Sequence, residues 1–353
     1  MSDADSFLST YYLSLFEFVG AIVFLVIFKV VMLLVMEKMS RSLADDPHPE
    51  DLKAKKKVIH IPIPYRIVKH SIATFLLISG LLQIRPSILF VQPATWFAHQ
   101  QVGVGSPYDS FLTLFIHHGM WINIWSVVIQ LSLAGLIWSF DQVTATRIMA
   151  GLIFLFGLFT WIYAEDLGRI GAPNPTFLEG SPGTGLLLAL TVILLWVPFH
   201  SWHTLFVRHM VIYANAGYWF LFAIVQWLPF HSFWSGKGYQ MMIALHPIHT
   251  PIWLFHLFAQ VNLWGVHQGL IATFILGGIP LALAIMWLTT TWRPQLTSFV
   301  ASSTWMILLI LWVVFQSAGF RGAFALALGS QPLLVIWATI PYWMHRKELV
   351  TIH

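Results

Sequence analysis

The sequence predicts an all-α, polytopic integral membrane helical bundle of about nine transmembrane helices, and three observations carry that expectation. Of 353 residues, 58% are hydrophobic and 9% are charged, whereas soluble domains carry about 25% charged residues. The apolar runs are about 20 residues long, enough to cross a hydrocarbon core of about 30 Å as helices. The alternating pattern of barrel strands is absent, and a chain in lipid must satisfy its own backbone, which leaves helices.

Taken in order, spans are expected near 12–36, 66–90, 112–139, 145–164, 184–206, 211–230, 267–290, 300–317 and 322–344. The opening stretch, MSDADSFLSTYYLSLFEFVG, lacks a basic n-region and a small-residue cleavage site. It reads as a retained first span, not a removed signal peptide. Residues 1–353 form a single membrane domain in this reading, with a basic cytoplasmic loop at 37–65 and an extracytoplasmic loop at 165–184. The segment 237–266 is apolar, but HPIHTP interrupts it with two prolines. It is expected to be a broken, interfacial or re-entrant helix, not a tenth straight span.

Charge placement sets the orientation. Lys38, Arg41, Lys53, Lys55, Lys56, Lys57, Arg66 and Lys69 gather between the first two spans, which puts that loop in the cytoplasm. Nine spans then place Arg147, Arg208, Arg293, Arg346 and Lys347 inside and leave Arg85, Arg169, Lys237 and Arg321 outside. The N-terminus is thus outside and the C-terminus cytoplasmic. The net charge of +4 follows from this topology and calls for no nucleic acid. The KAKKK run suits anionic membrane lipid or an acidic partner. Cysteine is absent, which excludes disulfides, iron–sulfur ligation by this chain and cysteine-based zinc sites.

Ionisable groups inside spans mark candidate sites, and here they are mainly histidines. The chain has 16. His70, His200, His203 and His209 fall in an inner layer, and His117, His118, His231, His246, His249, His256 and His267 in an outer one. At 1.5 Å per residue the layers are separated by roughly 20 Å. A near-repeat, WVPFHSWH at 196–203 and WLPFHSFW at 227–234, sets one proline-loosened histidine in each layer. Two imidazole layers in a helical bundle suit axial ligation of haem b, one or two per chain. Against this, a lone histidine near a span end is more often an interfacial hydrogen-bonder, and the 18 tryptophans are ordinary in membrane belts. Glu17 is equally readable as a proton group or an interfacial carboxylate. His48, His60, His345 and His353 are loop or tail residues without an assigned role.

The segment PYRIVKHSIATFLLISGLL, residues 64–82, resembles the first haem helix of the membrane cytochrome b subunits of hydrogenases, formate dehydrogenases and thiosulfate reductases. Arg66, His70 and Gly80 fill the pattern of arginine, short spacer, histidine and late glycine, while Ser71 replaces the usual aromatic. FLTLFIHHGMWINIWSVVIQL, residues 111–131, is similar to the later helix in which histidine opens an apolar run. The resemblance covers residues 60–140, and such subunits have four or five spans, so the second half of the chain is outside it.

The resemblance implies axial ligands at His70 and at His117 or His118. Their different depths separate them: the inner haem would pair His70 with His200 or His203, and the outer one His117 or His118 with His256, His267 or His231. Arg85 is placed for a haem propionate or for the outer headgroups. The function implied is a non-catalytic electron-transfer subunit of an oxidoreductase complex in a prokaryotic cytoplasmic membrane, linking a quinone pool to a redox partner subunit. The loop EDLGRIGAPNPTFLEGSPGTG, residues 165–185, would dock an extracytoplasmic partner or cap the bundle.

Two alternatives stand beside it. One is a cofactor-free anchor or scaffold subunit of a respiratory complex, its histidines acting as hydrogen-bonders. The other is a proton-translocating subunit: WVPFHSW resembles the PxHxWLP phrase of antiporter-like subunits of respiratory complex I, without the following LP or mid-membrane Lys and Glu. A di-iron site is disfavoured because HSWH, HTLFVRH and HPIH are too sparse. GSPGTG lacks the lysine of a phosphate-binding loop.

Overall fold

The computed structural model describes residues 61–84, 107–140, 142–165, 177–179, 181–229, 231–244, 251–316 and 329–351, with Leu167, Ala318 and Leu326. The span expected at 12–36 and nearly all of the 37–65 loop lie outside the described residues. Among the described residues the regular structure is helical throughout, with no strand.

The described residues form ten α-helices, in order α1 Ile63–Gln83, α2 Pro107–Ser139, α3 Val143–Phe159, α4 Thr184–Ile193, α5 Leu205–Gln226, α6 Lys237–Ala244, α7 Ile252–His267, α8 Gly269–Thr289, α9 Thr297–Phe315 and α10 Gln331–Thr351. A π-helical turn, Thr160–Ala164, extends α3, and a 3-10 turn, Leu194–Trp196, extends α4. Among the described residues five stretches are long and apolar enough to cross a membrane: Ile63–Gln83, Trp121–Ser139, Val143–Ala164, Gly269–Thr289 and Pro294–Phe315. Helices α5 and α10 have comparable length but carry Arg208, His209 and Asn215, and Arg346, Lys347 and Glu348, respectively.

The expected span at 184–206 is interrupted. Helix α4 and its extension stop at Trp196, Val197 turns extended (ψ 127°), and the 3-10 turn Phe199–His203 follows. Pro198 explains the break, since it lacks an N–H and disfavours a helical conformation at the residue before it. The segment 237–266 is likewise two helices, α6 and α7, with 245–250 outside the described residues.

Helix α10 is the hub of the bundle, packing against α1, α4, α5 and α9. Ala338 and Ile340 on it are fully buried. Pro341 lies inside α10 and takes away the N–H that would pair with the Trp337 carbonyl one turn earlier. Asn215 of α5 supplies the missing donor: its Nδ2 reaches Trp337 O at 3.1 Å. The Trp337 indole N–H donates to Thr191 Oγ1 of α4 at 2.9 Å, so one residue ties three helices together.

Helices α3 and α4 meet at Gly157 and Gly185. A Cβ on Gly185 would lie 2.5 Å from Gly157 O and 2.7 Å from the Trp161 N. Only glycine permits backbones to approach this closely.

Candidate functional site

His70 stands on the half-exposed face of α1, aligned with Thr74, Leu77 and Leu81 at helical spacing. Its imidazole meets the Trp138 ring of α2 edge-on, with centroids 5.4 Å apart and planes at 60°, and its Nδ1 is buried. Five residues earlier, Tyr65 is 3% exposed. Its ring packs on Phe199 (4.8 Å, 76°) and Trp202 (6.3 Å, 87°). The turn bearing His200 and His203 is therefore seated against the beginning of α1. Five helical residues rotate the direction by about 140°, so His70 and the 199–203 turn lie on different sides of α1.

The near-repeated phrases are both helix stops. In the first, His200 lies within the 3-10 turn and is exposed. In the second, α5 ends at Gln226, and His231 precedes the 3-10 turn Ser232–Ser235. His231 is 2% exposed, its ring 4.8 Å from that of Phe233.

Of the outer candidates, His118 is exposed and breaks the helical geometry of α2 (φ −130°, ψ 21°). His117 precedes it on the same helix. His256 and His267, on α7, are both exposed. The side chains of His117 and His203, and Arg85, His246 and His249 entirely, lie outside the described residues. Among the described residues no three His, Asp or Glu side chains gather in a metal-binding group.

What sequence reasoning overlooked is a buried layer of neutral amides and hydroxyls. Gln83 of α1 and Ser126 and Gln130 of α2 are at most 5% exposed. Gln130 Nε2 donates to Gln83 Oε1 at 2.9 Å and to Ser126 Oγ at 3.1 Å. One turn further along the same face, Asn123 is fully buried, and neither atom of its amide has a hydrogen-bond partner. Gln226, at the end of α5, is in the same condition. The signal in the sequence was the spacing 123, 126, 130, one helical face of polar residues in an apolar run.

The sequence places Glu165 at the start of the 165–185 loop. It follows the π-helical turn, and its carboxylate accepts the N–H of Thr184 at 3.1 Å and of Gly185 at 2.9 Å. These are unpaired donors at the start of α4. Burial pushes the Glu165 carboxyl up to about 7, although both backbone bonds pull it down.

A haem requires an accessible imidazole and flat apolar surroundings. His70 fits: it is half-exposed, with Trp138 beside it and Leu77 and Leu81 along its face. Gly80 does not serve as clearance for a porphyrin, because a Cβ there would lie 3.0 Å from Leu131 Cδ2; the glycine lets α1 and α2 cross closely. No family model, curated protein or solved structure matches the chain. Function is read from these residues and their geometry.

Proposed function

We propose that the chain is a nine-span membrane subunit of a redox complex that carries electrons through haem b between a quinone pool and a partner redox subunit. In this reading the N-terminus is outside, the C-terminus and the 37–65 loop are cytoplasmic, and the host is a prokaryotic cytoplasmic membrane. The observation that carries the haem assignment is the setting of His70. It is half-exposed, has its Nδ1 buried and stands against Trp138, on a face continued by Leu77 and Leu81. A bound haem supplies one-electron redox chemistry at its iron. His70 would ligate that iron, Trp138 would hold the imidazole plane, and Leu77 and Leu81 would keep water from the plate edge. The test is haem content in purified variants. His70→Ala should lose one haem and His118→Ala a different one, with both proteins still folded. Unchanged haem content in the His70 variant overturns the assignment.

A second reading, a cofactor-free anchor, is favoured by the exposure of His118, His200, His256 and His267. Exposed imidazoles at helix ends serve as hydrogen-bonders to headgroups or to a partner subunit without any metal.

A further inference from the structure

A cationic site lies where α2 turns into α3. Lys69 of α1 is 5% exposed and donates its ammonium to the Phe140 carbonyl at the end of α2. Thr146 Oγ1 reaches the same carbonyl at 3.2 Å. Arg147, next along α3, lies within electrostatic reach of the Tyr65 hydroxyl. It is half-buried, and its Nε is buried with no hydrogen-bond partner. No side-chain bond caps the first turn of α3, which holds no acidic residue. That turn presents the positive end of the helix dipole. Among the described residues no carboxylate pairs with Arg147; Glu165 stands at the far end of α3, and Asp141 lies outside the described residues. A buried guanidinium nitrogen without a partner is costly in an apolar bundle and calls for an acceptor.

The flank of the site identifies the acceptor. Ile148, Leu152, Leu155 and Phe159 are 59%, 47%, 62% and 47% exposed, and their spacing forms one apolar stripe along α3 that begins beside Arg147. Trp196 closes the other side, its indole N–H on Arg147 O at 3.2 Å and its ring 5.9 Å from Phe154. A cationic site at the end of an exposed apolar stripe suits a phospholipid, anionic at its head and apolar along its chains, and not a free ion. We propose that Arg147, Lys69 and the uncapped first turn of α3 bind the phosphodiester of an anionic phospholipid whose acyl chain lies along the α3 stripe. This rests on the membrane-spanning reading given above.

The test uses the full chain in detergent micelles, titrated with phosphatidylglycerol or phosphatidylcholine, with bound lipid counted by native mass spectrometry. Phosphatidylglycerol should bind about fivefold more tightly, the effect of about one basic residue at a membrane surface. Arg147→Gln should remove most of that preference and Arg147→Lys should keep part of it. The comparison is made with Lys53, Lys55, Lys56 and Lys57 replaced by Gln, so that the basic run between the first two spans adds nothing to the preference. Inorganic phosphate in excess should not compete; competition would assign the site to a free anion and overturn the lipid. The proposal is also overturned if Arg147→Gln retains the full preference or the wild type shows none. Flotation with phosphatidylcholine vesicles tests the spanning reading separately, so a chain that floats without a headgroup preference sinks the site and leaves that reading standing.

Discussion

Asn215 Nδ2 donates to the backbone carbonyl of Trp337 at 3.1 Å, the carbonyl that Pro341 deprives of its helical partner. A proline in the hub helix is tolerated because a neighbouring helix repairs the gap. Asn215→Leu should therefore destabilise the bundle by about 1–2 kcal/mol. The loss should shrink when Pro341→Ala restores the N–H. A double-mutant cycle by chemical or thermal unfolding measures the coupling, and an unchanged loss in the Pro341→Ala background would show that Asn215 matters for packing instead.

Glu165 gives the C-terminal end of α3 a pH dependence. Its carboxyl rises from 4.5 to about 7 in the folded chain because burial disfavours the charge. A raised carboxyl pKa makes the folded state bind the proton more tightly than the unfolded one. Its contribution is complete below about 4.5 and is lost as pH rises through about 7. Melting temperature should fall across that window in the wild type. Glu165→Gln keeps a carbonyl oxygen for the α4 donors and should flatten the profile. Glu165→Ala should also be flat but lower by about 1 kcal/mol, the worth of a lost helix cap.

Gly185→Ala tests the α3–α4 contact. The added methyl would meet backbone atoms of Gly157 and Trp161, not a side chain that can swing aside. A loss of about 1–3 kcal/mol is expected, measured by thermal unfolding in detergent. The same change at Gly135, where a Cβ meets nothing within 4 Å, should be neutral or mildly stabilising.

The buried amides separate into two kinds. Gln130→Leu removes donors from Gln83 and Ser126 and should cost about 1–2 kcal/mol. Asn123→Leu removes an amide with no partner and should be neutral or stabilising. Equal losses at both positions, in parallel unfolding curves, would mean that Asn123 holds a water or ligand.

Much of the helical fold is legible in long apolar runs: α8 lies within the stretch expected at 267–290, and α1, α3 and α9 overlap those at 66–90, 145–164 and 300–317, each starting two or three residues earlier. The sequence predicts that Pro198 loosens a helix; the structure makes it a full stop. The site was less legible. PFHS occurs twice, yet His200 is exposed and His231 is buried, because the helices packed around each turn decide burial and the local phrase does not. Asn215 and Asn123 look alike in sequence. Asn215 bonds to the Val211 carbonyl of its own helix and to Trp337, 122 residues away, whose carbonyl Pro341 leaves open, while the Asn123 amide has no such acceptor. Histidine chemistry draws attention to titratable groups, while neutral amides and hydroxyls make many of the buried polar contacts.

The central claim is haem at His70. The most direct measurement is a dithionite-reduced minus oxidised spectrum of the purified full chain, with pyridine haemochrome quantitation. The expected result is b-type α and Soret bands with one or two haems per chain, one of them absent from His70→Ala. A folded, membrane-inserted chain with no Soret difference band would contradict it and leave the anchor reading.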